Sequence, residues 1–160
     1  MFTFQTILVP TDFSACSRFA FRLAAQLARA HGSRLVVLHV MEAPDPMVAY
    51  SGRSEHERSV TRARLQEILG RYQVPEGTAG VDHVLVEGDT ADEILRVVDE
   101  VGCDLIVMGT HGRTGWDRIL LGSIAERIVR RASCPVVTAK VPKEVTVSAP
   151  VRSKAVATPV

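Results

Sequence analysis

Asp104-Leu-Ile-Val-Met-Gly-Thr-His-Gly-Arg-Thr-Gly-Trp-Asp-Arg-Ile-Leu-Leu-Gly-Ser123 decides how this chain is read. Leu105 to Met108 is an apolar run of the kind a buried strand shows. Gly109, Gly112 and Gly122 then punctuate a loop, and Ser123-Ile-Ala-Glu126 reads as a helix start with Ser123 as cap and Glu126 as its capping-box partner. Strand, glycine-rich loop and helix N-terminus, in that order, suit an anion. Glycine lets the backbone approach closely, and the first N–H groups of a helix have no intrahelical partner. Gly109, Gly112, Gly122 and Ser123, with the helix-start N–H groups of Ile124 and Ala125, are therefore the candidate phosphate cradle. The spacing is neither the dinucleotide pattern G-x-G-x-x-G nor a P-loop with its lysine.

The rest of the chain supplies the frame around that loop. Phe4 to Val9 is a short strand stopped by Pro10, and Thr11-Asp-Phe-Ser14 forms a turn. Phe19, Ala20, Leu23, Ala24 and Leu27 fall at helical spacing between about Ala15 and Ala30, with Gly32 as the left-handed cap. Leu35 to Val40 reads as a strand covered on both faces. A loop with Pro44 and Pro46 leads to a helix opened by Ser54-Glu-His-Glu57 and running to about Arg71 or Tyr72. His83 to Glu87 is a third strand. Thr90-Ala-Asp-Glu93 has capping-box form and opens a helix to Val101, with Ile94, Leu95, Val97, Val98 and Val101 as its buried stripe and Gly102 as its stop. A final helix from Ile124 to Arg131 precedes a strand over Pro135 to Lys140. The alternation predicts an α/β domain with an open five-stranded parallel sheet and helices on both faces. In such sheets ligands sit beyond the C-terminal strand ends, where the strand order reverses.

Composition bounds the remaining classes. The 160 residues, 46% hydrophobic and of net charge +1, suit one domain, read as 1–141 followed by a proline-bearing tail over 142–160. The balanced charge offers no case for nucleic acid or an anionic membrane as main partner. Arg127, Arg130 and Arg131 read as a solvated helix face. No 18-residue apolar run and no signal-peptide pattern is present. Cys16, Cys103 and Cys134 lack C-x-x-C spacing and are read as small core or helix residues of a reducing, cytoplasmic setting. His31, His39, His56, His83 and His111 are scattered, without a metal-ligand pattern.

The spacing G-x2-G-x9-G-[ST] at Gly109, Gly112, Gly122 and Ser123 resembles the nucleotide-binding signature of the universal stress protein family. Ile7-Leu-Val-Pro-Thr-Asp-Phe-Ser14, Leu38-His-Val40 and Leu105-Ile-Val-Met-Gly-Thr-His-Gly112 are similar to it as well, so the likeness spans roughly residues 3 to 140. The resemblance implies strand order 3-2-1-4-5, with ATP held at the ends of strands 1 and 4 and Mg2+ carried by its phosphates. It implies that Asp12 contacts the adenosine part and that Pro10, Thr11 and Val40 line the adenine slot. Met108 lies at the strand end, and His111 lends a backbone N–H to a phosphate. Ala125 stands where some nucleotide-binding relatives carry a hydroxyl. The resemblance also implies a homodimer through the edge strand 135–140. No general base, acidic metal pair or P-loop lysine is evident, so hydrolysis is expected to be slow at most and the role regulatory, with a protein partner unidentified. Two other classes compete: a regulatory dimer without nucleotide, and a flavodoxin-type protein holding a flavin phosphate on Thr11, Ser14 and Ser17. Trp116 covers the site, meets a partner or packs.

Overall fold

A computed structural model describes residues 3–42, 55–74, 76–110 and 121–141. In chain order the elements are β1 (Thr6–Pro10), α1 (Ala15–His31), β2 (Arg34–Glu42), α2 (Glu55–Leu69), β3 (Gly80–Gly88), α3 (Thr90–Val101), β4 (Leu105–Gly109), α4 (Ser123–Arg131) and β5 (Val136–Ala139). The strands form one parallel sheet in the order β3-β2-β1-β4-β5. The expected α/β architecture and strand order are both present.

Side chains alternate across a strand, so a sheet covered twice needs apolar residues on both faces. Along β1, Ile7 and Val9 join one core with Ala20, Ala24 and Ala28 of α1, while Leu8 joins the other with Ile94 and Val98 of α3 and Ile128 of α4. The small residues on α1 let that helix lie close to the sheet. Gly32 and Gly102 close α1 and α3 with φ of 64° and 61°, the left-handed conformation glycine adopts without a Cβ clash.

Several boundaries differ from expectation, for identifiable reasons. β1 begins at Thr6 rather than Phe4 because the Asp104 carboxylate takes the N–H groups of Gln5 and Thr6, at 2.7 and 2.8 Å. It continues through Pro10, whose missing N–H is no loss at a strand end. β2 and β3 are longer than expected because they pair over nine positions, Arg34↔Gly80 through Glu42↔Gly88. α2 ends at Leu69, where Arg71 N–H bonds Ile68 O and Tyr72 N–H bonds Leu69 O in tight i→i+3 turns. Its expected cap, Ser54, lies outside the described residues.

The expected cap at Thr90 is displaced by one residue. Asp89 caps α3, its Oδ1 accepting from Ala91 and Asp92 N–H at 3.1 and 3.0 Å. Glu93 turns instead to Arg96. Arg127 and Arg131 lie on the expected solvated face and pair there with acids: Arg127 lies 3.0 Å from Asp89 and 3.2 Å from Asp92, and Arg131 lies 2.7 Å from Asp92. These pairs tie α4 to α3. No helix among the described residues is long and apolar enough to cross a membrane. The tail over 142–160 lies outside the described residues.

Candidate functional site

β1 and β4 are neighbours in the sheet, but they pair only at Ile7↔Leu105 and Leu8↔Ile106. Beyond that point the two chains turn away from each other. Thr11 N–H bonds Leu38 O of β2 at 2.8 Å, and Thr110 N–H bonds Ala139 O of β5 at 3.0 Å. The divergence opens a crevice at the C-terminal strand ends, where strand order reverses.

One side of the crevice is the turn after β1. Asp12 Oδ1 accepts from Ser14 N–H at 3.0 Å, which closes an Asx turn. Ser14 then caps α1 by accepting from Ser17 N–H at 3.2 Å. Between them Phe13 holds φ of 64°, a left-handed conformation unusual for a side chain of its size. The turn is pinned from outside as well. His39 Nδ1 meets Thr11 O at 2.7 Å, and the His39 ring packs on Phe13 with centroids 4.4 Å apart. Thr11 Oγ1 bonds Ser17 Oγ at 3.1 Å, lies 3.0 Å from Tyr72 Oη and accepts from Phe13 N–H at 3.1 Å.

This clamped turn leaves one group unsatisfied. Asp12 Oδ2 is buried and has no hydrogen-bond partner among the described residues. Burial pushes the Asp12 carboxyl up. The polar groups around it, the Ser14 hydroxyl and backbone N–H and the Ser17 hydroxyl, outweigh that and hold it below its ordinary 3.8. The residue is thus ionised near neutral pH, with an acceptor oxygen to spare.

The other side is the start of α4. Gly122 N–H bonds Thr110 O at 2.8 Å, which brings the end of the glycine loop back to the end of β4. Gly122, not Ser123, is the N-cap. No side chain among the described residues caps this helix; its first ring is closed by Glu126 N–H to Gly122 O at 2.9 Å. The capping box expected at Ser123 and Glu126 is therefore absent, because Ser123 is already the first helical residue and its side chain is exposed. The N–H groups at the start of α4 carry the donors a helix leaves open.

The other expected site residues divide by what they can offer. Pro10 and Thr11 lie at the end of β1 beside Asp12. Val40, Met108 and Ala125 are buried at 8%, 5% and 3% exposure and pack in the core, so only their backbones are available to a ligand. Ile124 is half-buried against the same core. Gly109 has a packing reason of its own. A Cβ there would lie 3.0 Å from Cys16 Sγ and 3.2 Å from the Cys16 carbonyl carbon, so glycine admits α1 to the end of β4. His111, Gly112 and Trp116 lie outside the described residues. The hydroxyls of Thr11, Ser14 and Ser17, considered for a flavin phosphate, bond chiefly to one another and to the local backbone.

A family model for the universal stress protein family matches residues 3–140. The chain belongs to the universal stress protein family. A universal stress protein of Methanocaldococcus jannaschii is 33% identical over 145 residues, covering 88% of this chain and 85% of that one. Among solved structures, a universal stress protein of Lactobacillus plantarum superposes with a TM-score of 0.71 at 22% identity, covering 87% of this chain and 99% of that one. A universal stress protein of Archaeoglobus fulgidus, solved in complex with dAMP, superposes with a TM-score of 0.56 at 25% identity, covering 87% of this chain and all of that one. Family members of this fold thus include one that holds an adenine nucleotide.

His39, Phe13 and Tyr72 matter to the site, yet residue spacing did not single them out. His39 acts through a ring contact and one bond to a main-chain oxygen. Phe13 acts through a backbone conformation that its residue type disfavours. Ser14 did carry a legible signal: a serine three residues before Ser17, just ahead of a helical period.

Proposed function

We propose that this chain binds ATP, with Mg2+ on its phosphates, at the C-terminal ends of β1 and β4, and acts as a nucleotide-dependent stress-response regulator. The buried Oδ2 of Asp12, unpartnered among the described residues, carries the reading. A buried polar atom without a hydrogen bond is costly, and an ionised one more so. Ribose hydroxyls, or the adenine amine, supply the donor it lacks. The start of α4, where the N-cap Gly122 brings no side chain, lies at the neighbouring strand end and suits phosphate oxygens. Ser123, Ile124 and Ala125 would offer N–H groups there, with Gly109, His111 and Gly112 along the loop. Pro10, Thr11, Val40 and Met108 would border the base. The dAMP complex of the Archaeoglobus fulgidus relative supports an adenine nucleotide as the ligand class. Among the described residues of this set none is a general base, and we read any hydrolysis as slow, with the bound nucleotide serving as signal rather than substrate. We place the protein in the cytoplasm.

The outer edge of β5 extends the proposal to quaternary structure. β5 pairs with β4 on one side, and Val141 just beyond it is 41% exposed. An edge strand with open backbone groups is a template for a second strand. A two-fold homodimer through 135–140 follows, which presents the nucleotide state of both protomers to a protein partner.

One observation favours the second reading, a regulatory dimer without nucleotide: Gly109 is accounted for by Cys16 alone. The two readings separate in titration calorimetry of nucleotide-stripped protein with ATP and Mg2+, beside Gly122→Val checked by circular dichroism for its fold. Saturable heat in the wild type, lost in the folded variant, upholds the nucleotide reading. No heat and no thermal shift at millimolar ATP overturns it in favour of the partner-binding dimer.

A further inference from the structure

A second concavity lies on the α1 face, in the groove between α1 and the C-terminal end of α2. Its volume is about 410 Å3, within the range of small-molecule sites. Phe13, Phe21, Ile68 and Tyr72 form its walls, all of them half-buried, so each presents apolar surface to the groove. Phe21 and Tyr72 meet edge-on at 4.8 Å and 87°, and Phe13 stands 6.3 Å from Tyr72 at 49°. In a chain with only five phenylalanines and two tyrosines, three of these rings converge on one groove. Rings set at steep angles leave faces and edges open to a flat guest.

The rim carries one sign of charge. Arg18, Arg22 and Arg71 line the groove, and among the described residues no acidic side chain does. Arg71 is balanced by Glu67 at 2.8 Å. Arg18 donates to Phe13 O, and Arg22 lies 5.6 Å over the Phe19 ring. Neither Arg18 nor Arg22 has a carboxylate partner among the described residues. Arginine stacks on rings and grips carboxylates with a planar fork, so an aromatic wall under unneutralised arginines matches one ligand class in both shape and charge.

We infer that this groove is a second ligand site, which takes a small aromatic carboxylate, the ring against Phe13, Phe21 and Tyr72 and the carboxylate on Arg18 and Arg22. The site shares a wall with the turn that holds Asp12. Phe13 follows Asp12 directly, and Tyr72 Oη lies 3.0 Å from Thr11 Oγ1. A ligand in the groove thereby bears on the turn. That coupling, unlike the site itself, rests on the nucleotide reading.

The test is amide chemical-shift mapping on the full chain, titrated with 2-naphthoate and with its neutral analogue 2-naphthamide, each with and without ATP and Mg2+. The expected result is saturable 2-naphthoate shifts centred on Phe21, Ile68 and Tyr72 that persist under saturating ATP. Binding of 2-naphthamide, and of 2-naphthoate to an Arg18→Gln/Arg22→Gln variant, should be roughly tenfold weaker. Both arginines are exposed, so the variant keeps its core. The inference is overturned if 2-naphthoate does not saturate at millimolar concentration, if the amide binds equally well, or if the shifts centre on Gly109 and Ser123 and vanish with ATP. ATP alone reports at Gly109 and Ser123, so failure of the nucleotide reading shows on different residues from failure of the groove.

Discussion

Asp12→Asn separates the energetic roles of the two oxygens of one carboxylate. Oδ1 holds the turn by accepting from Ser14 N–H at 3.0 Å; Oδ2 is buried and unpartnered among the described residues. Asparagine keeps the acceptor that closes the turn and replaces the spare oxygen with an amide. It is itself a favoured Asx-turn residue, so the ligand-free variant should unfold within about 1 kcal/mol of wild type. The cost falls on binding. A ligand hydroxyl donating to an ionised, partly desolvated carboxylate contributes about 1.5–3 kcal/mol, which is roughly a 10- to 150-fold rise in Kd when the contact is removed. Asp12→Ala should reach the upper part of that range. Asp12→Asn should fall in the lower part, because its amide still offers a neutral hydrogen bond. Calorimetric titration with ATP and Mg2+, beside urea unfolding of the same preparations, reads both quantities. If Asp12→Asn binds within about twofold of wild type, or loses more than about 2 kcal/mol of stability, the spare oxygen is not the ligand's acceptor and Asp12 is only a turn residue.

Four other outcomes are expected. Gly109→Ala forces a Cβ to 3.0–3.2 Å of Cys16 and should destabilise by about 1–3 kcal/mol in urea; Cys16→Ala in the same chain should restore only part of this, since the Cys16 carbonyl carbon and Cβ remain in the way. Asp12 sits below its ordinary 3.8 when folded, so its stabilisation is fully present above that pH and is lost as pH falls through the folded value. The acid limb of a stability–pH curve should therefore be shallower in Asp12→Asn, and an unchanged limb would contradict the assignment. Asp89→Ala removes the acceptor for Ala91 and Asp92 N–H and the partner of Arg127, and should lower Tm by on the order of a few degrees by calorimetry, whereas Thr90→Ala should not. Burial, with Cys134 beside it, pushes the Cys103 thiol up to about 12, so iodoacetamide at pH 8 should leave Cys103 unlabelled in the native protein and label it in urea.

Local pattern was enough for the order of elements, the two glycine caps and both faces of the sheet. Ile7, Leu8 and Val9 are all apolar because a parallel strand is buried on each side, and that burial is written into consecutive residues. Helix starts were legible only to within a residue. Thr90 and Ser123 have the right chemistry for a cap, but Asp89 and Gly122 occupy the position, because the cap is set by where the chain leaves the preceding strand or loop. The glycine spacing singled out the loop, yet spacing cannot say which glycine faces a ligand and which faces a helix. At Gly109 the answer comes from Cys16, 93 positions away in the chain.

Sequence by itself determined that this chain folds as a parallel α/β domain, and it singled out Asp12 and the loop that starts at Gly109 as the place to look for a ligand. Those features are local: hydrophobic period, turn residues, and glycines at fixed offsets. The tertiary structure decided what the site contains. It brought His39 and Tyr72 from elsewhere in the chain to clamp the turn after β1, left Oδ2 of Asp12 without a donor among the described residues, and returned Gly122 to Thr110, which sets the start of α4 at the end of β4. It also gathered Phe21 and Tyr72 into a groove that no run of sequence contains. Each of these depends on contacts between residues far apart in the chain, which only the packed sheet and helices bring within bonding distance.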